Sequence, residues 1–233
     1  MDKKRNRALI ISIIINVLLA LMALILILNK VGLLTRTSIV GEKYSYLSNP
    51  QYEANLSMFS IIGGDADIIF AGDSITAYGR FSEFFPEKKV MNRGIGSDTT
   101  EGLYNRMDEI LSHNPKSIFI MIGINDMARN IQEDEAIRYY GMILSEIQEK
   151  NPECKIYVES VLPTRTIDLN VIQSYNNALN ALCEDMNVEY IDLYSAFITD
   201  GEPNDEMFSA DKVHLNGNGY KEWINEVRPM IYN

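Results

Sequence analysis

The 233-residue sequence predicts an α/β protein, a three-layer α/β/α fold on a five-stranded parallel sheet. Three observations carry this. Five short apolar runs recur along the chain, and segments of helical periodicity separate them. The runs are apolar enough to be covered on both faces, as strands of a parallel sheet are. The unusual polar residues lie just past the ends of these runs, where such sheets bind ligands.

Taken in order, SNPQYEANLSMFSII reads as a short helix, with Pro50 in its first turn and Tyr52, Leu56 and Phe59 on one face. ADIIFAG is the first strand and KVMN a short second one. DTTEGLYNRMDEILSH reads as one helix carrying Leu103, Met107, Ile110 and Leu111 on a stripe, with Asp98 and Glu101 forming a capping box at its start. SIFIMIG is the third strand, followed by a helix that turns Ala136, Tyr140, Ile143 and Ile147 inward. KIYVES is the fourth strand. The helix after it points Val171, Tyr175, Ala178 and Leu182 inward. VEYID is the fifth strand. The last helix faces inward with Tyr220, Trp223 or Ile224, and Val227.

The N-terminus stands apart. Residues 8–28 carry no charge, a length that spans a bilayer as a helix. No small-residue cleavage site follows, so the segment reads as an uncleaved anchor. Lys3, Lys4, Arg5 and Arg7 precede it, which places residues 1–30 as a cytoplasmic basic tip and transmembrane anchor. Residues 31–47 read as a tether and 48–233 as the outward-facing domain of a single-pass membrane protein. The charge divides in the same way. Residues 1–30 sum to +4 and the chain to −11, so the remainder carries −15. A domain that acidic repels nucleic acid. The two cysteines, Cys154 and Cys183, and two histidines make no zinc cluster, and the cysteines read as free thiols.

Ser74, in FAGDSITAYG, lies where a strand meets a helix, so it is either a helix cap or a nucleophile. A serine nucleophile needs a base, and a carboxylate to orient that base. His113 ends a helix and is read as a partner of the helix dipole. His214 lies in SADKVHLNGNGY, three residues after Asp211, a spacing that lets one turn aim the carboxylate at the imidazole. NRGIGSDTTEG offers Gly94 and Gly96 in a tight turn before a helix N-terminus, a source of backbone N–H donors for an oxyanion. MIGINDM offers the side-chain amide of Asn125, for which a helix cap is the competing reading.

Together, GDSIT, NRGIGSDTT, GIND and DKVH resemble, in order, the four signature blocks of the SGNH hydrolase superfamily, the GDSL-type esterases. The resemblance covers about residues 45–233 and implies a flavodoxin-like fold with no cofactor and no metal. It places the nucleophile on Ser74, the base on His214, the acid on Asp211 and the side-chain oxyanion donor on Asn125. Backbone donation falls to Ser74 and Ser97. Ser97 stands where the family commonly has glycine. Asp73 is read as a supporting hydrogen-bonding residue.

The implied activity is ester hydrolysis through an acyl-enzyme, with a short acyl group on an extracytoplasmic glycan as the favoured substrate. A lysophospholipase or thioesterase of the same family is the alternative, with Phe81, Phe84 and Phe85 as a lipid-site wall or, more simply, as core. From other classes, GIGSDT faintly echoes a dinucleotide loop but lacks its third glycine, and a catalytically silent binding module is the remaining rival. Oligomeric state is left open.

Overall fold

The structure, a computed structural model, describes residues 45–232. Residues 8–28, read as the anchor, and 31–44 of the tether lie outside them. Among the described residues, no helix is long and apolar enough to cross a membrane. Residues 45–47, read as the tether's end, are already structured. Ser45 caps a 3-10 turn (Tyr46–Ser48), and Tyr46 packs edge-on against Tyr52 at 4.9 Å.

Helix α1 (Pro50–Ser60) starts on Asn49, whose side chain accepts from the Gln51 N–H, and Pro50 fills the first turn. Its buried Tyr52 and Phe59 form a small cluster with Ile95, and the Tyr52 hydroxyl donates to the Gly102 carbonyl at 2.8 Å. Strand β1 (Ile68–Gly72) is buried at all five positions, which explains its uninterrupted apolar run. After it come two four-residue helices, α2 (Ser74–Ala77) and α3 (Phe81–Phe84), and then β2 (Val90–Gly94).

The segment expected to be one helix over 98–113 is two, α4 (Thr100–Tyr104) and α5 (Met107–Leu111). Arg106 makes the break. Its guanidinium is buried, donating to Asp98 Oδ2 at 2.9 Å, the Arg93 carbonyl at 2.7 Å and the Gly72 carbonyl at 3.1 Å. Three charge-assisted bonds inside the protein outweigh the helical hydrogen bonds lost at one residue. The expected capping box is also absent. Asp98 is taken by Arg106, so Thr99 caps α4 by accepting from the Gly102 N–H, and Glu101 accepts instead from the Tyr139 hydroxyl.

β3 (Ser117–Met121), α6 (Ile124–Ala128), α7 (Glu133–Lys150), β4 (Lys155–Glu159), α8 (Leu169–Met186) and β5 (Glu189–Ile191) follow. α7 buries Ala136, Tyr140, Ile143 and Ile147 as expected. α8 is rotated from its expected face. It buries Ile172, Tyr175, Asn176, Leu179 and Cys183 and leaves Val171 exposed. Asn176 explains the shift, because its inward amide holds both the N–H and the carbonyl of Val161 at 2.9 Å. A short helix α9 (Leu193–Ala196) and a hairpin, β6 (Ile198–Thr199) with β7 (Glu202–Pro203), lead to the final helix α10 (Gly217–Tyr232).

The five long strands are parallel, in the order β2-β1-β3-β4-β5 of flavodoxin-type sheets. The chain leaves β1 toward β2 and returns to β3 on the other side. The topological switch, and the crevice it opens, therefore lies past the carboxyl ends of β1 and β3.

Register lines up Phe70, Phe119 and Tyr157 across the sheet, stacked at 5.0 and 4.6 Å. Phe81 stacks on Phe70 at 3.9 Å, and Trp223 of α10 meets both edge-on. Phe81 and Phe85 are thus core residues and wall no lipid site; Phe84 is 37% exposed. Cys154 and Cys183 are buried free thiols.

Beside this stack the Trp223 indole N–H donates to buried Glu159. Burial pushes the Glu159 carboxyl up to about 8, against the pull of that hydrogen bond. The folded state keeps this proton above the pH at which the unfolded chain releases it. Stability is therefore expected to fall as pH rises from about 4.5 to about 8, at up to about 1.4 kcal/mol per pH unit. Glu159→Gln keeps the acceptor and removes the titration. Its melting temperature, measured from pH 5 to 8, should gain on that of the parent protein as pH rises.

Candidate active site

β1 ends on Gly72, and Asp73 turns the chain into α2 by accepting the Ile75 N–H on Oδ1 at 2.9 Å. Ser74 is thereby the first residue of a helix at the sheet's carboxyl edge, with its hydroxyl in the crevice. The helix sits close over the sheet because Gly94 ends β2. A Cβ there would lie 2.2 Å from the Ala77 nitrogen.

The hydroxyl has its partner. Ser74 Oγ lies 2.8 Å from His214 Nε2, across 140 residues of sequence. His214 Nδ1 lies 2.7 Å from Asp211 Oδ2. The other Asp211 oxygen accepts from the N–H groups of Val213 and His214 and from the Ser209 hydroxyl. These donors, led by the imidazole, hold the Asp211 carboxyl well below the usual carboxylate range. An ionised Asp211 keeps the imidazole proton on Nδ1, so Nε2 is left to accept the Ser74 proton.

The turn carrying this pair is built locally. Lys212 takes a left-handed conformation, φ 60°, and its carbonyl accepts from the buried Thr164 hydroxyl at 2.8 Å. Arg165 ties the same loop outward, pairing with Asp205 and Glu202 while Lys212 pairs with Asp205.

The donor side comes from the ends of β2 and β3. Ser97 sits at φ 62°, the region that favours glycine and costs another residue about 1–2 kcal/mol. The backbone at this point therefore keeps a glycine-like shape although the residue is serine. Asn125 lies in the first turn of α6, after Gly123 turns the chain at φ 136°. One N–H of its amide donates to the Asp98 carbonyl at 2.9 Å, which orients Nδ2 and its second hydrogen. Ser74, Ser97, Asn125 and His214 line one cleft of about 210 Å³, with Ile124, Ile167 and Val213 as apolar wall. Gly96 lines it too.

Beneath the cleft lie three buried carboxyls. Burial pushes Asp73 up to about 7, and Asp98 and Asp126 up to about 6, each opposed by its hydrogen-bond donors. Asp98 is held by Arg106, and Asp126 by the N–H and hydroxyl of Thr100. Asp126 thus ties the loop after β3 to that after β2, and Arg106 links Asp98 to the Gly72 carbonyl at the end of β1, while Asp73 acts locally as the cap of α2. His113 is absent from the cleft lining. It is buried, with Nδ1 on the Gly64 carbonyl and Nε2 beside Glu109. Gln51, Tyr78 and Thr166 also line the cleft and carried no signal in the sequence. The loop with the dinucleotide echo is covered by α1. Asn49 donates to the Gly96 carbonyl, and a Cβ on Gly96 would lie 2.1 Å from Gln51 Oε1.

A hydroxyl, an imidazole and an ionised carboxylate in one hydrogen-bonded chain, facing an oriented amide, are the parts of an acyl-transfer site. The model of the GDSL-like Lipase/Acylhydrolase family matches residues 70–222, from β1 through the start of α10. The chain belongs to that family. This GDSL-like protein is a carboxylic ester hydrolase.

Solved structures share its fold. A candidate platelet activating factor from Streptococcus pneumonia is 23% identical over 91% of this chain and 99% of its own, with a TM-score of 0.69. A GDSL-like lipase from Bacteroides thetaiotaomicron is 20% identical over 77% of this chain and 96% of its own, TM-score 0.67. An acetyl xylan esterase is 24% identical over 70% of this chain and 98% of its own, TM-score 0.62. No curated protein matches the sequence.

Proposed function

We propose that this GDSL-like hydrolase removes short acyl groups, acetyl foremost, from an extracytoplasmic glycan through an acyl-enzyme on Ser74. The observation that carries this reading is the size of the cleft. At about 210 Å³ it is smaller than the roughly 300–1,000 Å³ of typical ligand sites. Phe81 and Phe85 lie in the core and so do not extend it for a long chain. An acetyl xylan esterase among the neighbours points the same way.

In the proposed reaction Ser74 Oγ attacks the ester carbonyl carbon while His214 Nε2 takes the hydroxyl proton. Asp211 stabilises the imidazolium that forms. The N–H groups of Ser74 and Ser97 and the Asn125 amide hold the negative oxygen of the tetrahedral intermediate. The C–O bond to the alcohol then breaks, and the leaving oxygen takes its proton from His214. Water, deprotonated by His214, attacks the acyl-enzyme and frees the acid and Ser74. Residues 8–28 anchor the domain, with the basic residues before them on the cytoplasmic side.

A p-nitrophenyl ester series from C2 to C12, run on the full chain, tests the acyl preference. A steep fall in kcat/KM beyond C2–C4 is expected. An optimum at C8–C12 would replace the glycan reading with a lipid one.

A further inference from the structure

In the proposed reaction the leaving alcohol takes its proton from His214 Nε2, so the body of the acyl acceptor departs past the imidazole. The side chain standing there is Tyr78. Its ring centroid is 5.0 Å from that of His214, tilted by 43°. Tyr78 lines the cleft yet is 59% exposed, so this large ring is not spent on packing. It is also tied to the nucleophile, because its N–H donates to the Ser74 carbonyl at 3.1 Å and closes α2.

Two exposed polar side chains share the cleft with it. Gln51 comes from the first turn of α1, and Asn49, which caps that helix, is fastened to the Gly96 carbonyl at 2.7 Å. The Gln51 amide oxygen lies 2.1 Å from where a Cβ on Gly96 would stand, so its present position over the loop uses the space that glycine leaves. Thr166 supplies a hydroxyl from the loop after β4. An aromatic face beside a neutral amide and a hydroxyl suits a pyranose. The sugar's C–H face packs on the π cloud, and its hydroxyls exchange hydrogen bonds with Gln51 and Thr166. A quaternary ammonium headgroup is less well served. One ring is no cage, and no Asp or Glu lines the cleft.

We propose that Tyr78 and Gln51 form the acceptor subsite, which binds the neutral pyranose ring bearing the scissile ester. This rests on the ester-hydrolysis scheme above and adds the residue that selects the alcohol half of the substrate.

The test compares two acetate esters on the full chain by pH-stat. Glucose pentaacetate has a ring to stack, and ethyl acetate has none. In Tyr78→Ala the ratio of kcat/KM for glucose pentaacetate to that for ethyl acetate is expected to fall about fivefold or more. Tyr78→Phe should keep the ratio, and Gln51→Ala should lower the corresponding ratio measured with 6-O-acetylglucose, whose free hydroxyls can bond the amide. Equal loss on both esters would make Tyr78 a support for the His214 imidazolium and overturn the subsite. So would an unchanged ratio, or a parent enzyme that cleaves ethyl acetate but not glucose pentaacetate. Hydrolysis of lysophosphatidylcholine that falls in Tyr78→Ala, with glucose pentaacetate unaffected, would assign the ring to a cationic headgroup and overturn it as well. Failure of the parent enzyme on both acetates would instead remove the underlying scheme, and the subsite with it.

Discussion

Replacing Ser74 with alanine is expected to lower kcat on p-nitrophenyl acetate by about 10⁴–10⁶-fold, and His214→Ala by a similar factor. The reason is geometric. The only base within reach of the Ser74 hydroxyl among the described residues is His214 Nε2, at 2.8 Å. Without the hydroxyl there is no acyl-enzyme, and without the imidazole there is no acceptor for its proton. The two losses should not add. The double variant is expected to sit close to either single one, because the residues act as one unit. Folding is expected to survive, since both side chains are only partly buried and the Asp73 cap of α2 does not involve them. Full turnover by Ser74→Ala would place the chemistry elsewhere.

The second large effect is at Asn125. Asn125→Ala should lower kcat about 10²–10³-fold, the usual cost of about 2.7–4 kcal/mol for one oxyanion donor, and leave KM nearly unchanged. A donor used only when the carbonyl oxygen becomes negative contributes to the transition state and little to binding. The amide is set for this, with one N–H fixed on the Asp98 carbonyl. Asp98 is itself fixed by the buried Arg106. A rise in KM with kcat preserved would make Asn125 a binding residue instead.

Much of the fold was legible in the sequence because the central strands β1, β3 and β4 are buried almost throughout and read as apolar runs. The edge strands β2 and β5 are shorter in apolar sequence and only partly buried, and the helices between the strands carry a periodic stripe. What the pattern missed has local causes. The four- and five-residue helices α2, α3, α6 and α9 are too short to show periodicity. The split between α4 and α5 depends on Arg106 reaching acceptors on Asp98, Arg93 and Gly72, which only the tertiary structure brings together. The rotation of α8 comes from Asn176, a polar residue buried because it completes the Val161 backbone.

The candidate site divides in the same way. Ser74, Asp211, His214 and Asn125 were legible because each sits in a short polar block just past a strand or before a helix. Ser74, Asn125 and His214 line one cleft, and Asp211 holds His214 from outside that lining. Asp73 was read as a supporting group, and it is buried as the cap of α2. Gly94 sits beneath α2 rather than in the cleft lining. Tyr78, Gln51 and Thr166 left no trace. They are single residues of ordinary type, brought together by α1, the end of α2 and the loop after β4.

The central claim is that Ser74 becomes covalently acylated. It is tested most directly by treating the full chain with a fluorophosphonate and mapping the adduct by mass spectrometry. One equivalent on Ser74, lost in His214→Ala, is the outcome expected from the 2.8 Å Ser74–His214 contact. Label on another residue, or none on active enzyme, would contradict it.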